Sequence, residues 1–287
     1  MAGLKSIGEV VDAELNGKVR DYIWRKTPSQ ATTSGIWFDL SMSPGMPVPK
    51  YWFDAAPLTA RQITQSADGG FYHGPNVSPS EKYLRKITTM ANAATALPMN
   101  VILCDYLLYY PTIDDGTTDE QMMDNSVTLS RYTTGKGVRM IAVTTGARTG
   151  GQTFTVKYTN QDGVTGRISQ VVTQNTATTL GSITTSNTTA TNGADPFIPL
   201  QDGDSGVRAV ESVTMNNVDT GIFSIILVKP LVQTCFREVT VPYEKDFLIP
   251  TTDLVKIEDN AFLNFLCLPL GTLAATVLRG DLKVIYT

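Results

Sequence analysis

Three residues that could perform acyl transfer occur along the chain in a suggestive order. Gly203–Gly206 has the sequence Gly-Asp-Ser-Gly, which surrounds the nucleophile of chymotrypsin-like proteases, and it follows His73 and Asp105. Histidine, aspartate and serine occur in this order in the chymotrypsin triad. A nucleophilic serine also needs a base within hydrogen-bond reach, a carboxylate that orients the base, and an oxyanion hole. The flanking residues must therefore decide whether the tetrad is catalytic.

The neighbours of these residues do not support protease chemistry. His73, the single histidine, lies in GGFYHGPN, where a chymotrypsin-like enzyme has Ala-Ala-His-Cys, and Val-Arg follows the tetrad where that family has Gly-Pro. Asp105 lies in an apolar run; it could orient a base, but it could equally pair with a tyrosine hydroxyl or a strand-end amide. We therefore interpret Gln201–Gly206 as a turn that precedes a strand starting at Val207. We predict no catalytic residues.

Calcium is the metal for which the sequence offers candidate ligands. Two acidic stretches could supply oxygen atoms, from Asp114, Asp115, Asp119, Glu120, Asp202 and Asp204. Neither stretch matches the twelve-residue calcium loop that ends in a bidentate glutamate, so we interpret both as solvated loops. One histidine and three scattered cysteines cannot supply the paired ligands of a zinc site. The prediction is no metal.

Other catalytic and cofactor patterns are similarly sparse. The sequence contains neither G-x-x-x-x-G-K-[ST] nor G-x-G-x-x-G, and we predict no cofactor. Cys104, Cys235 and Cys267 lie among apolar residues, which indicates reduced, buried thiols. A Cys–His nucleophile and a facing carboxylate pair of the glycosidase type stay open as alternatives, but no spacing singles out either. We therefore predict that the protein is not an enzyme.

Composition narrows the class of protein further. The 287 residues carry a net charge of −4, and only 17% are charged, against about 25% in typical soluble proteins. Threonine, serine, asparagine and glutamine take their place, which suits an all-β protein with many contacts to neighbours. A mildly acidic chain argues against direct nucleic-acid binding, which needs a basic face. The sequence has no run of about 20 apolar residues, and its start lacks a signal-peptide core, so we predict no membrane association.

Residues 1–57 are predicted to form an N-terminal helix and an extended aromatic arm. Apolar residues at steps of three and four from Leu4 to Ile23 fit one helical face, although Asn16-Gly17 would also allow a hairpin. That face is narrow, and its partner could be another chain. Five prolines make residues 27–57 irregular.

Aromatic residues are concentrated in this N-terminal segment, which contains all three tryptophans. They could pack the segment onto its own core, or they could clasp a neighbouring chain, because tryptophan and tyrosine supply large contact areas in interfaces. The predicted interface residues are Trp24, Trp37, Phe38, Tyr51, Trp52 and Phe53.

Residues 58–287 are predicted to form a β-rich body that begins with one helix. Ser78-Pro79-Ser80-Glu81 matches a capping box, and apolar residues from Tyr83 to Ala94 share a helical face, so we predict a helix near 79–95. Met99–Tyr110 is a nearly continuous apolar run that suits a strand buried on both faces.

Alternation with period two marks the β-sandwich portion, about 99–287. Thr153–Thr173 predicts a hairpin that turns at Asp162-Gly163, and further strands are predicted at 207–215, 221–228, 235–241 and 281–286. The threonine-rich stretch 177–192 is predicted to be a surface loop with a short strand. Short strands separated by turn signals indicate a mainly β protein, an antiparallel β-sandwich or jelly-roll-like body with one or two helices.

Several stretches together resemble a group of virion structural proteins of tailed bacteriophages. They are TSGIWFDLSMSPGMPVPKYWF, HGPNVSPSEKYLRKI, ILCDYLLYYPTIDDGTTDEQ, GGQTFTVKYTNQDGVTGR and PFIPLQDGDSGVRAVESVT, and they span most of the chain. The resemblance implies a component of the particle, made in the host cytoplasm and located in the virion. It assigns no chemical role to any single residue.

Physical arguments favour the outer capsid surface within that class. An acidic, threonine-coated β-sandwich is tolerated outside a shell but not against packaged DNA, so we expect a capsid decoration or cement protein. Its expected partners are the major capsid protein and itself, as a dimer or trimer. A tail tube or baseplate subunit is the first alternative, and a host-receptor, glycan-binding module is the second.

Overall fold

The computed structural model describes residues 4, 6–175, 179–184, 195–248 and 254–287. This part of the chain is mainly β, which confirms the predicted fold class, and its strands pair antiparallel. One α-helix, α1 (Ile7–Leu15), and a 3₁₀ helix at Leu40–Met42 accompany the strands. The strands are β1 (Val19–Lys26), β2 (Phe38–Asp39), β3 (Gly45–Met46), β4 (Arg61–Gln62), β5 (Lys82–Ala91), β6 (Met99–Asp114), β7 (Gln121–Met122), β8 (Arg139–Thr144), β9 (Thr153–Asn160), β10 (Arg167–Ile168), β11 (Val172–Thr173), β12 (Ile183–Thr184), β13 (Val207–Met215), β14 (Ile222–Phe236), β15 (Tyr243–Asp246), β16 (Val255–Ile257), β17 (Phe262–Leu268) and β18 (Leu278–Tyr286).

The strands form three sheets. A central sheet has the order β12-β8-β14-β6-β17-β2, with β4 also on β6. A first outer sheet has the order β15-β5-β18-β1-β3, with β16 also on β5, and a second outer sheet has the order β10-β9-β13-β7, with β11 also on β9. The three sheets form a sandwich-like body in which β6 and β14 are the longest strands.

A β-bulge at Leu107 lets one face of the central sheet support both outer sheets. Leu227 pairs with Leu108 and Val228 with Tyr106, so Leu107 is the additional residue. Before the bulge, Met99, Val101 and Leu103 pack in a core with the first outer sheet. After it, Leu107, Leu108 and Tyr110 pack in a core with the second outer sheet.

The opposite face of the central sheet is covered by extended segments of the N-terminal third. Trp37, Met42, Trp52 and Ile63 pack there with strand residues such as Tyr106. The predicted strand over Met99–Tyr110 is therefore confirmed, and it is buried on both faces because different parts of the chain cover each side.

The predicted helix near 79–95 is wrong. Lys82–Ala91 forms β5, which pairs with β18 on one side and with β15 and β16 on the other. The backbone N–H groups of Val77 and Ser78 donate to the Asp259 carboxylate, so an acid from another part of the chain binds this turn. Long-range pairing decided the structure here over the local helical signal.

Residues 1–57 are integrated into the body instead of forming a separate arm. The predicted helix is confirmed for Ile7–Leu15, where Ser6 and Glu9 form a capping box, but Val19–Lys26 is a strand paired with β18 along its length. β2 pairs with β17 and β3 with β1. Most of the predicted threonine-rich loop lies outside the described residues, although Ile183–Thr184 is the short strand β12.

Candidate interaction surface

The Gly-Asp-Ser-Gly tetrad is a turn, and Asp204 fixes it. The Asp204 carboxylate is buried and accepts hydrogen bonds from Tyr158 (2.6 Å), Asn160 (2.7 Å) and Arg167 (2.9 Å). Ser205 is exposed, and its backbone N–H donates to the side chain of Gln161. The tetrad therefore attaches the β9–β10 hairpin to the start of β13.

His73 and Asp105 lie near each other but form no triad with Ser205. Nε2–H of the buried His73 ring donates to the carbonyl oxygen of Ala261 (2.8 Å), and Nδ1 has no partner among the described residues. Burial, with Lys82 nearby, lowers the pKa of His73 to about 4. Asp105 accepts the N–H of the next residue, Phe262. The two side chains thus hold one short stretch of backbone.

Asp105 has a buried arginine as its partner. Arg131 donates to both carboxylate oxygens, Nε at 2.9 Å and Nη2 at 2.8 Å, and Nη2 also reaches the carbonyl oxygens of Ile63 and Tyr106. Burial raises the pKa of Asp105 to about 6, although Arg131 acts to lower it. This bidentate pair connects three segments of backbone and leaves the carboxylate no geometry for orienting His73.

Four of the six acidic residues considered for calcium, Asp114, Asp115, Glu120 and Asp204, have protein partners for their carboxylates. Asp115 is buried against Arg148 (2.7 Å) and also binds Gln174 (2.8 Å), while Glu120 pairs with Lys157 (2.6 Å). Within the described ranges, no group of three or more His, Cys, Asp or Glu side chains could hold a metal ion. These carboxylates join loops to strands.

A polar cleft of about 370 Å³ lies beside β5 and β16, lined by residues 77–82, 130–131 and 256–259. Its charges are largely matched internally: Lys82 lies 3.6 Å from Asp259, and Lys256 lies 3.1 Å from Glu81. The lining contains no aromatic ring on which a sugar could stack.

Four of the six predicted interface residues are buried in the protein's own core. Trp24 stacks on Phe71 with ring centroids 4.9 Å apart, and Trp37, Phe38 and Trp52 are also buried. The expectation that these four rings clasp a neighbouring chain is therefore corrected, because they pack the N-terminal segment onto the body.

The buried carboxylate of Asp39 is the anchor of this segment. It accepts hydrogen bonds from Trp52 Nε1 (2.7 Å), the Tyr106 hydroxyl (2.8 Å), and the backbone and hydroxyl of Ser41. Burial raises the pKa of Asp39, and these four donors oppose that rise. Lys26 lies nearby with its Nζ on the carbonyl oxygens of residues 43 and 47, and burial lowers the pKa of Lys26 to about 8.

Tyr51 and Phe53 project outward on either side of the buried Trp52. They are 53% and 50% exposed, while Trp52 stacks on Tyr106 at 5.7 Å. Lys50 Nζ lies over the Trp52 and Tyr109 rings. The backbone is fixed as well, since the carbonyl of Trp52 accepts from Ser224 and that of Phe53 from Tyr109.

Exposed apolar side chains continue along the same segment. We call Met46, Val48, Tyr51 and Phe53 the apolar strip, since each is about half exposed or more and all four lie within one short segment. Sequence analysis identified the two aromatic members but missed Met46 and Val48. Their signal is apolar residues that alternate with Pro47 and Pro49, which cannot continue a sheet ladder. The strip is a rigid apolar surface suited to adhesion.

Comparisons with known proteins do not place the chain in a family. No family model matches the chain, and no curated protein matches it. Among solved structures, the infectious bursal disease virus VP2 subviral particle aligns with 10% identity and a TM-score of 0.16, over 93% of this chain and 80% of that chain. A TM-score this low carries no argument about fold or function. Separately, no helix in the described part of the chain is long and apolar enough to cross a membrane.

Proposed function

We propose that the protein is a bacteriophage virion structural protein, a capsid decoration or cement protein that binds the head shell and stabilises it. The observation that carries the proposal is the apolar strip on its buried support. Tyr51 and Phe53 are exposed while Trp52, between them, is held by Asp39 and Tyr106. An enzyme would need an assembled catalytic set, whereas adhesion needs only a preorganised surface.

The strip has the chemistry of an interface core. Aromatic residues and methionine are enriched at such cores and charged residues are depleted. Lys50 is the charged residue inside the strip, and its Nζ lies over the rings of Trp52 and Tyr109. Asp54, next along the chain, pairs with Arg61 at 2.7 Å. Burial of the strip against a shell would contribute about 25 cal/mol per Å² of apolar area removed from water.

Hydrogen bonds hold the backbone of the strip in place, which favours binding more than a freely moving exposed loop would. The carbonyl groups of Pro47, Trp52 and Phe53 accept hydrogen bonds from Lys26, Ser224 and Tyr109, respectively. Since these bonds exist before any partner arrives, little backbone freedom would be lost on binding. The proposed partners are the major capsid protein and further copies of the chain, in a symmetric oligomer on the outer capsid surface.

The test is binding of purified protein to assembled heads, measured by co-sedimentation and by labelling in electron micrographs. We expect the double substitution Tyr51→Ser and Phe53→Ser to abolish saturable binding to heads without lowering the melting temperature. The matched control is Val241→Ser with Leu270→Ser, since these residues are equally exposed but lie outside the strip.

Other outcomes would redirect the assignment. Labelling confined to tails would reject the head location in favour of a tail tube or baseplate subunit. Saturable binding to glycans in a screen, lost in the double variant, would indicate a host-receptor module. Binding to heads that the double variant retains in full would reject the apolar strip as the adhesive surface.

A further inference from the structure

Helix α1 carries an apolar stripe that the body does not cover. Ile7, Val11 and Leu15 follow each other at four-residue spacing and so lie on one side of the helix, and Leu15 is 79% exposed. A different side, with Val10 and Ala13, packs on Ile285 of β18. The helix therefore has two apolar faces, and the fold uses one.

The outer face of the first outer sheet is also left partly uncovered. Val19 of β1 pairs with Ile285 at the end of the sheet where α1 packs. Because side chains on one face recur every second residue, Ile23 lies on the same face of β1, beyond the helix. Ile23 is 86% exposed. Met46 of β3 pairs with Arg25, two residues along β1 from Ile23.

Two arginines face each other beside Ile23. Arg25 and Arg279 are direct partners in the antiparallel β1–β18 ladder, and with Asn92 and Val277 they line a cavity of about 360 Å³. Like charges directly opposite each other destabilise a sheet. Neither guanidinium has a carboxylate partner among the described residues; Arg279 lies 3.9 Å from the sulfur of Met90. Asp281, the direct partner of Ile23, lies on the same face two residues from Arg279, but among the described residues it forms no ion pair with either arginine.

Helix α1 has the complementary charge. It contains Glu9, Asp12 and Glu14 and no basic residue. Glu14 pairs with Arg85 and Glu9 closes the capping box, while Asp12 lies next to the stripe with its carboxylate unbound within the described chain. The turn at Asn16–Lys18 joins α1 directly to β1, so the helix cannot reach Arg25 and Arg279 of its own chain without leaving Ile285.

We propose that a second copy of the chain covers this face. The stripe of α1 in one copy packs over Ile23 of the other, and Asp12 meets the Arg25–Arg279 pair. The helix and its acceptor surface lie on one face of one molecule, so the contact is reciprocal and closes as a two-fold dimer. The inference rests on the proposed function, which expects a symmetric oligomer, and it assigns the surface of self-contact.

Analytical ultracentrifugation over a concentration series tests the dimer. We expect Leu15→Glu and Ile23→Glu each to raise the dissociation constant about tenfold or more. Arg279→Glu should weaken the dimer similarly, and adding Asp12→Arg to it should restore much of the affinity by reversing both charges. Leu270→Glu and Arg237→Glu, at exposed positions outside this face, are the matched controls.

The substituted side chains are exposed, so circular dichroism should show unchanged folding in every variant. A protein that stays monomeric, an odd-numbered assembly, or a dimer indifferent to Leu15→Glu and Arg279→Glu would overturn the inference. So would failure of Asp12→Arg to rescue Arg279→Glu. Failure of the wild-type protein to bind heads, with the dimer intact, would overturn the proposed function alone.

Discussion

At the scale of single residues, buried charges in this protein connect segments of backbone. Asp105 with Arg131, and Asp115 with Arg148, are held within networks of backbone and amide groups. Removing one member of such a pair leaves an uncompensated buried charge, whereas an exposed pair is compensated by water. The two classes of ion pair should therefore differ sharply on mutation.

Arg131→Met is expected to lower the free energy of unfolding by about 3–5 kcal/mol, because it strands the Asp105 carboxylate. Lys157→Met, which breaks the exposed pair with Glu120, should lower it far less, because water compensates both partners. Urea denaturation of both variants at pH 7 measures the difference. Equal losses would mean that water reaches Asp105 in the folded protein.

His73→Gln should change the dependence of stability on pH. The pKa of His73 is about 4 in the folded protein, below the ordinary 6.5, so the unfolded chain binds the proton more readily between these values. The contribution of His73 to the free energy of unfolding therefore falls by about 3 kcal/mol as the pH is lowered from 6.5 to 4. Asp105, with its pKa raised to about 6, contributes with the opposite sign over the same range.

Because the two contributions oppose each other, the wild-type profile alone cannot separate them. The measurement is the difference in unfolding free energy between wild type and His73→Gln, by urea denaturation at pH 7 and at pH 4. We expect wild type to lose about 3 kcal/mol relative to the variant on going to pH 4. A difference independent of pH would show that His73 is not buried in its neutral form.

At the scale of elements, the sequence predicts those strands, turns and helices that are determined by local patterns of residues. The boundaries of β13 and the hairpin of β9 and β10 follow from alternation and turn residues, and the presence of α1 follows from the spacing of its apolar residues. β5 was missed because its apolar spacing also fits a helix. Its partner β18 lies almost 200 residues away, and no local signal encodes that pairing.

The same limit applies to the candidate surface. Sequence analysis grouped Tyr51, Trp52 and Phe53, but the Asp39 carboxylate that draws Trp52 inward belongs to a different segment. The sequence partly indicated the apolar stripe of α1, since the periodicity from Leu4 to Ile23 suggested a face whose partner could be another chain. Which apolar residues stay exposed depends on packing that the periodicity does not contain.

Alanine substitutions at two glycines test strand packing and helix propensity separately. A Cβ on Gly280 of β18 would overlap the carbonyl oxygen of Thr88 and lie 2.9 Å from the Trp24 ring, so Gly280→Ala should cost about 1–3 kcal/mol. A Cβ on Gly8 of α1 would approach no atom closer than 3.7 Å, so Gly8→Ala should stabilise by up to about 1 kcal/mol. Thermal denaturation of the two variants should show melting temperatures shifted in opposite directions.

At the scale of the whole molecule, β6 and β14 run through both cores, and this argues for one cooperative unit. Neither core can open without disturbing strands that line the other. The buried cysteines report on this, because Cys104 lies on β6 and Cys267 on the adjacent β17. Burial raises the pKa of both thiols well above its usual range.

Thiol labelling should therefore occur in two stages. Cys235, which is partly exposed, should react first with a thiol reagent under native conditions. Cys104 and Cys267 should react later and at one common rate, governed by global unfolding and increased equally by Arg131→Met. Faster labelling of Cys267 than of Cys104 would show that β17 opens independently.

The bulge at Leu107 has a consequence for how this chain can vary. It shifts the alternation of side chains along β6. Odd-numbered residues face the outer sheets before the bulge, whereas Leu108 and Tyr110 face them after it. Deletion of Leu107 would restore strict alternation and leave Leu108 and Tyr110 on the face they already occupy, because Leu108 would then follow Tyr106 directly. Insertion of one residue between Leu108 and Tyr109 would instead turn Tyr110 away from its core, so an addition beyond the bulge should disturb the fold more than loss of the bulge residue.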